Sequence, residues 1–458
     1  MNTPRTCIVG AGVSGLSLAL LLDGEFEIFD AADDVGGHAA SIIEDGWTFD
    51  RGPHIMFSKR ADVLEFMMRS LRGNVHASRR NSKVCIDGHF AKYPIENDLA
   101  ALPTDLRNRC LLDFLFNEHS DPATEPRNLH EWFLKTFGAG LTDAYFVPYN
   151  EKVWKVPIAD LSMLWSERIP QPPPIDVVRG ALGIETEGYV HQLHFHYPRR
   201  GGYQAIPRAF AQLLPAERIH CSAAVERIVP GPGSIRVEAG GVERSFDRVV
   251  STTPLPILLG LLDDVPDRVR DAAAALRVHP MLVISLGFRG VDSHQFSSVY
   301  FPADDFLVNR ISSPCTFSPE NGPAGCYSIQ AEITSTPGGP ELAMPDRSVV
   351  EHVVDGLQRN RVLRADEEPI YSRVDRYQYA YVVYENGYEE RFDLVRSWLE
   401  SKGIYPHGRF GAFEYLNVDG CVIRSIELAE RLNRRRTSIA DVELPQHDES
   451  GSVAQSVR

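Results

Sequence analysis

The segment that leaves this chain least freedom lies at its start. Arg5–Val9 reads as a short apolar strand, and Gly10-Ala11-Gly12-Val13-Ser14-Gly15 follows it at once. A helical apolar run at 16–22 comes next, then a second strand at 26–29 that ends in Asp30. Each part has a mechanical reason. Gly10 permits a tight turn, Gly12 lets the backbone approach a pyrophosphate, and Gly15 allows the helix to pack closely on the strand. The start of the helix, with Val13 and Ser14, offers free N–H groups and the positive end of a dipole to phosphate. Asp30, about 20 residues beyond the first glycine, is placed to accept hydrogen bonds from a ribose. A glycine triplet alone is a weak signal. Strand, turn, helix, strand and acid in this order predict a dinucleotide-binding βαβ unit.

Bulk properties narrow what surrounds that unit. At 458 residues two or three intertwined domains are expected. The apolar runs at 16–22 and 111–116 fall far short of a bilayer span, so no membrane segment is expected. A strand begins within a few residues of Met1 with no leader pattern before it, which predicts a cytoplasmic location. The net charge of −15 argues against a nucleic-acid-binding face but leaves room for a locally basic pocket and an anionic small molecule. Cys7, Cys85, Cys110, Cys221, Cys315, Cys326 and Cys421 are odd in number and form no CxxC pair, so reduced thiols are expected. His191, His194 and His196 alternate, yet no carboxylate or Cys partner follows them, and no metal site is predicted.

After Asp30 the chain continues Ala31-Ala32-Asp33-Asp34-Val35-Gly36-Gly37-His38, and the second glycine pair lets another loop pass close to a cofactor. This acid followed by a glycine pair resembles the extended fingerprint of the amine-oxidase-type FAD flavoproteins, which implies FAD rather than a nicotinamide. Four further stretches resemble the UDP-galactopyranose mutases, in the same superfamily as the protoporphyrinogen oxidases. They are Phe49-Asp50-Arg51-Gly52-Pro53-His54-Ile55-Met56-Phe57, Tyr149-Asn150-Glu151-Lys152-Val153-Trp154 with Trp165-Ser166-Glu167-Arg168-Ile169-Pro170, Tyr197-Pro198-Arg199-Arg200-Gly201-Gly202-Tyr203, and Gly408-Arg409-Phe410-Gly411-Ala412-Phe413-Glu414-Tyr415-Leu416-Asn417-Val418-Asp419. Together they span about 5 to 435 of the sequence.

The resemblance implies an α/β fold. A Rossmann-like, glutathione-reductase-like FAD-binding domain (1–60, 197–255 and 404–435) would be interleaved with a helical substrate domain (61–196) and an antiparallel sheet (256–403). The local patterns agree: helices are expected at 61–72, 128–137, 204–214 and 347–360, and strands at 224–229, 234–239, 248–252, 281–288, 297–301 and 326–333. The polar, Ser-rich end, 436–458, reads as a flexible tail.

Carried over residue by residue, the resemblance implies that FAD is held by Gly10, Gly12, Val13, Ser14, Gly15, Asp30, Gly37, His38, His54, the backbone of Val225, Arg409, Tyr415 and Asn417, with Gly411 allowing close approach. Asn417 stands where many bacterial mutases have an acid. Two chemistries stay open. In the mutases a reduced flavin attacks the anomeric carbon of a nucleotide sugar as the diphosphate leaves, and the ring contracts through a reduced-flavin adduct. There the resemblance gives Arg168 and Arg310 to the diphosphate, Tyr300 and Tyr415 to the substrate, and His54 to tuning the flavin. Arginine suits that task because its planar fork is bidentate and always charged. In the alternative, an oxidoreductase of the amine or protoporphyrinogen oxidase type, the flavin accepts a hydride. No aromatic cage is evident in the sequence, and the paired arginines favour an anionic substrate. Trp154 is expected to pack in the substrate-domain core. Residues 188–196 depart from the bacterial mutase pattern, which leaves the base and the sugar open. A homodimer is expected from the resemblance alone.

Overall fold

The computed structural model describes residues 4–169, 171–186 and 193–444. Pro170, Gly188 and His191 therefore lie outside the described residues, as do 445–458. The amino-terminal strand Arg5–Val9 sits at the centre of a five-stranded parallel sheet, between Arg248–Ser251 and Glu25–Phe29, with Ile404–Pro406 and Ile219–His220 at the edges. The sheet gathers its strands from three separate parts of the chain, 5–29, 219–251 and 404–406. Cys7, Ile8, Val249 and Val250 are fully buried, as expected of parallel strands covered on both faces.

The first helix, Val13–Ala19, is buried along its whole length, and the last long helix, Val418–Asn433, packs against it. Small hydroxyl residues make that approach close: Ser17 Oγ donates to Ser425 Oγ at 2.8 Å, and His407 Nε2 lies 2.9 Å from the same hydroxyl. This contact fastens the beginning of the chain to residues more than four hundred positions later.

A seven-stranded sheet forms the second layer. Its order is Tyr371–Val382, Val278–Arg289, Cys326–Thr334, Arg310–Ser312, Ser298–Tyr300, Ser82–Ile86 and His89–Lys92. All neighbours are antiparallel except Ser298–Tyr300 against Ser82–Ile86. The helices Thr104–Leu115, Leu129–Leu141, Val147–Trp154 and Pro174–Ala181 form a bundle beside it. Asn128 caps the second of these by accepting the Glu131 N–H at 3.0 Å.

Two expectations need correction in their element content. The stretch 61–196 is not wholly helical: Val75–Arg79, Ser82–Ile86 and His89–Lys92 are strands, and the last two extend the seven-stranded sheet. The reason is local. Asp87-Gly88 stands between two alternating segments, and both residues take positive φ, +51° and +73°, which a tight hairpin turn requires. The tail also begins later than expected. Ile439, in the short helix Ile439–Asp441, is fully buried against the helix Ala61–Ser70.

Candidate active site

A cavity of about 970 Å³ runs from the glycine-rich turn to the seven-stranded sheet. Gly10, Gly12, Val13, Ser14, Asp30, Gly37 and His38 line it on the parallel-sheet side. His54, Arg168, Tyr300, Arg310, Arg409, Tyr415 and Asn417 line it where the second sheet and the helical bundle close over it. Three sequence-predicted residues are not in its wall. A Cβ on Gly15 would meet the Gly10 carbonyl oxygen at 2.0 Å, so this glycine is needed for helix–strand packing. Val225 begins the strand Val225–Gly231 and pairs with Ala239 away from the cavity lining. Gly411 likewise owes its missing side chain to packing, since a Cβ would stand 2.7 Å from the Ser251 carbonyl oxygen.

At the turn, no side chain caps the first helix, so its leading N–H groups face the cavity without a protein partner supplied from Gly12. Asp30 Oδ2 accepts the Ala11 N–H at 2.7 Å and Oδ1 accepts the Ala32 N–H at 2.8 Å. Those bonds fix the carboxylate, and each oxygen keeps further acceptor capacity for a ribose hydroxyl.

At the other end, strand register builds the polar wall. Tyr300 pairs with Arg310, and Arg310 with Glu332, so three side chains from adjacent strands form one row. Arg310 donates from Nε at 3.1 Å and from Nη2 at 2.8 Å to Glu332 Oε1, and from Nη2 at 2.8 Å to Oε2. The Tyr381 hydroxyl donates to Oε2 at 3.1 Å. Burial is the largest single influence and opposes a charge on Arg310, but the Glu332 carboxylate together with Tyr381, Tyr300 and Tyr149 outweighs it and holds the guanidinium protonated. Arg409 donates to the Leu416 and Ala380 carbonyls at 2.7 and 3.1 Å, and its guanidinium lies 4.2 Å from the centre of the Tyr415 ring. Arg168, exposed at the rim, donates to the Tyr415 carbonyl and also stands over that ring, at 4.9 Å. Among the described residues neither Arg409, Arg168 nor Arg51 has a carboxylate within ion-pair distance. The cavity is therefore cationic inside an acidic protein.

Two imidazoles sit among these cations. Burial, then Arg409, lowers His38 to about 3 and His54 to about 4, so both are neutral at physiological pH. His54 stacks on Tyr203 at 5.1 Å, and its Nδ1 is buried with no hydrogen-bond partner in the protein. Behind the loop, Asp50 accepts the Ser41 hydroxyl at 2.6 Å, the Tyr197 hydroxyl at 2.7 Å and the Tyr203 N–H at 2.9 Å. Burial still raises its carboxyl to about 6.

Sequence reasoning missed two features of the wall. An aromatic lining exists after all: Tyr377, Tyr379 and Tyr381 face the cavity with Trp154, Trp165 and Tyr415. The ring centres of Trp154 and Trp165 lie 4.1 Å apart with their planes tilted by 31°, so Trp154 serves both the core and the wall. The tyrosines recur every second residue in Tyr371–Val382, a period-two pattern that marks one face of a strand. Glu332 was the other omission. It is the lone acid in the otherwise inward-facing strand Cys326–Thr334, and a buried carboxylate in such a strand demands a partner.

A parallel sheet with a glycine-rich, uncapped helix start, opening into a long cavity closed by a second sheet, defines a dinucleotide-binding flavoprotein. The particular family follows: residues 13–432 match the flavin containing amine oxidoreductases, and the chain belongs to that family. Its cofactor is FAD. A crystal structure of reduced UDP-galactopyranose mutase is similar over 95% of this chain and 98% of that one, with 25% identity and a TM-score of 0.87. Coproporphyrinogen III oxidase of Bacillus subtilis (strain 168) is 20% identical over 91% of this chain and 95% of its own length. A 4,4'-diapophytoene desaturase of Staphylococcus aureus (strain MRSA252) is 24% identical over 67% of each chain. Among the described residues no helix is long and apolar enough to cross a membrane.

The residues present fit FAD. The uncapped first turn offers donors to a pyrophosphate. Gly12 has no protein atom within 3.7 Å of where a Cβ would point, and the orphaned His54 Nδ1 leaves one polar group for a ligand to satisfy.

Proposed function

We propose that this flavoenzyme is a mutase that contracts the ring of a nucleotide-activated sugar. One observation carries the reading: Arg168, Arg310 and Arg409 meet Tyr300 and Tyr415 around one end of a single cavity. Several planar, permanently charged donors in one place suit a diphosphate better than a neutral or cationic group. The 25% identity and close superposition with reduced UDP-galactopyranose mutase support the same assignment.

Gly10, Gly12, Val13 and Ser14 would hold the FAD pyrophosphate, Asp30 a ribose, and Gly37, His38, His54, Arg409 and Asn417 the remainder of the cofactor. Reduced FAD, when bound, supplies an electron-rich ring nitrogen as nucleophile. The chain's own part is positioning. Arg310 and Arg168 hold the substrate diphosphate and stabilise the negative charge that gathers on its oxygen as the sugar bond breaks. The hydroxyls of Tyr300 and Tyr415 orient the same group. The neutral imidazoles of His38 and His54 add no charge to repel the arginines, and the aromatic wall keeps water from the sugar carbon.

A second reading has its own observation. The lining of Tyr377, Tyr379, Tyr381, Trp154 and Trp165 would also suit an apolar substrate that gives a hydride to oxidised FAD. The two are separated by incubating dithionite-reduced, anaerobic holoprotein with a panel of nucleotide hexoses. Furanose product from the reduced protein alone supports the mutase. Bleaching of oxidised flavin by substrate, with peroxide formed in air, supports the oxidoreductase.

A further inference from the structure

We propose that Glu332 is a positioning residue that limits how tightly the substrate diphosphate is held, and so keeps it exchangeable. The inference rests on the nucleotide-sugar reading above. Glu332 has no exposed side-chain surface, yet it belongs to the cavity wall through Arg310. Its two oxygens are fully engaged: three contacts from Arg310 and one from the Tyr381 hydroxyl account for them. The guanidinium is thereby turned so that Nε and Nη2 face the sheet. Nη1 has no protein acceptor among the described residues, and it is the edge left for an incoming anion.

This arrangement does two opposing things. It fixes the direction of Arg310, which favours binding because no rotamer has to be frozen later. It also places a negative charge behind the guanidinium, roughly 6 Å from any phosphate on its far edge. At an effective dielectric of about 20, one charge at that distance changes affinity by a factor on the order of 100. Arg168 and Arg409 bring no carboxylate with them. Without Glu332 both guanidinium groups given to the substrate, Arg168 and Arg310, would stand uncompensated against a di- or trianion, with Arg409 near by on the cofactor, and release would become slow. A buried acid on the binding face is expensive unless it is paired. Its presence beside Arg310, one strand away in register, is accounted for by setting both the direction and the strength of that arginine.

The test uses FAD-loaded protein and uridine diphosphate as probe, with adenosine, guanosine and thymidine diphosphates alongside, titrated by calorimetry. E332Q keeps the shape and the acceptor oxygen but removes the charge. It is expected to bind the nucleoside diphosphate at least tenfold more tightly, with a slower off-rate and with KM and kcat falling together. E332D, which keeps the charge, should stay within about threefold of wild type. An E332Q affinity equal to or weaker than wild type overturns the proposal. If E332Q does not load FAD, Y381F serves instead. It strips one donor from the carboxylate, leaves it more negative toward the cavity, and should weaken binding by about threefold. Tighter binding by Y381F would overturn the idea. If wild type binds none of the four diphosphates, the nucleotide-sugar reading itself has failed and this proposal falls with it.

Discussion

Gly12 and Gly15 lie three residues apart in one motif, and the structure assigns them different jobs that a pair of alanine substitutions can separate. A methyl on Gly15 would stand 2.0 Å from the Gly10 carbonyl oxygen and 3.2 Å from Ile8 Cγ2. The helix would have to retreat by more than about 1 Å from the central strand, an overpacking that costs on the order of 3 kcal/mol. Alanine's better helix propensity returns about 1 kcal/mol, so G15A should lose about 2 kcal/mol with or without cofactor. Gly12 is different. Its φ of −80° is open to any residue, and the protein atoms nearest to its would-be Cβ are 3.7 Å away. G12A apoprotein should therefore be as stable as wild type, within about 0.5 kcal/mol. Its methyl would occupy the space beside the free N–H groups of the first turn. Losing two hydrogen bonds to a charged pyrophosphate, at about 1.5–3 kcal/mol each, raises the Kd for FAD at least about 100-fold. Urea unfolding of both apoproteins, with FAD titration followed by flavin fluorescence quenching, reads the two effects apart. Equal destabilisation of the two apoproteins, or wild-type FAD affinity in G12A, would refute the division of labour.

Three further outcomes are expected. Arg168 is exposed and makes no ion pair among the described residues, so R168A should leave the melting temperature within about 2 °C while raising KM for an anionic substrate 10- to 100-fold, roughly the worth of one charge-assisted contact. Asp50 has a folded pKa raised from 3.8 to about 6, so it stabilises the fold most when protonated, and this contribution is lost as pH rises from about 4 through 6. In urea titrations of the apoprotein, D50N should therefore gain about 2 kcal/mol on wild type between pH 4 and pH 7; an unchanged gap would mean that the three donors, and not burial, govern this carboxyl. His54 has the opposite sign: its folded pKa falls from 6.5 to about 4, so its neutral form supports the fold above pH 6.5 and stability drains away as pH drops toward 4. H54Q cannot be protonated, and relative to wild type it should be about 2 kcal/mol better off at pH 4.5 than at pH 7.5 in the same assay.

How much of this was legible in the sequence depended on the range of the forces involved. The amino-terminal unit was readable because its determinants are local: Arg5–Val9, the glycine turn and Asp30 specify one another within 30 residues. The strands Ser234–Ala239 and Cys326–Thr334 announced themselves by alternation for the same reason. The hairpin around Asp87-Gly88 was equally local, and it was lost because the helices on either side dominated the reading of that stretch. The site was a different matter. Family resemblance pointed at Arg168 and Arg310, but nothing within ten residues of Arg310 names Glu332, because their contact is created by strand register across Arg310–Ser312 and Cys326–Thr334. Tyr381 reaches the same carboxylate from a third strand. Gly15 and Gly411 divide differently. The close helix–strand packing at Gly15 was legible in the motif, whereas Gly411, expected to let the cofactor approach, is constrained by the Ser251 carbonyl, which only the packed backbone reveals.

The charge balance of the cavity bears on the choice of substrate more directly than the fold does. The same architecture houses oxidases, desaturases and a mutase among this chain's relatives, so the parallel sheet and its helix cannot discriminate between them. What can is the field at the far end of the cavity. Arg51, Arg168, Arg310 and Arg409 face it, and the one fully buried acid there, Glu332, is spent on Arg310. An ammonium entering this space would meet four guanidinium groups against one acid lining that end without an ion pair among the described residues, the exposed Glu167, whereas an anion finds donors already held in place by Tyr415, Leu416 and Ala380. The aromatic wall does not reverse that preference. The ring of Tyr415 already carries two guanidinium groups on it, so its negative face is committed to them and is unavailable to a cationic substrate. The field thus favours an anionic sugar donor over an amine, and the alternative that remains is the apolar hydride donor that the aromatic wall would suit. Those two differ in what they need from the flavin, reduced in one case and oxidised in the other, and the redox state in which turnover occurs decides between them.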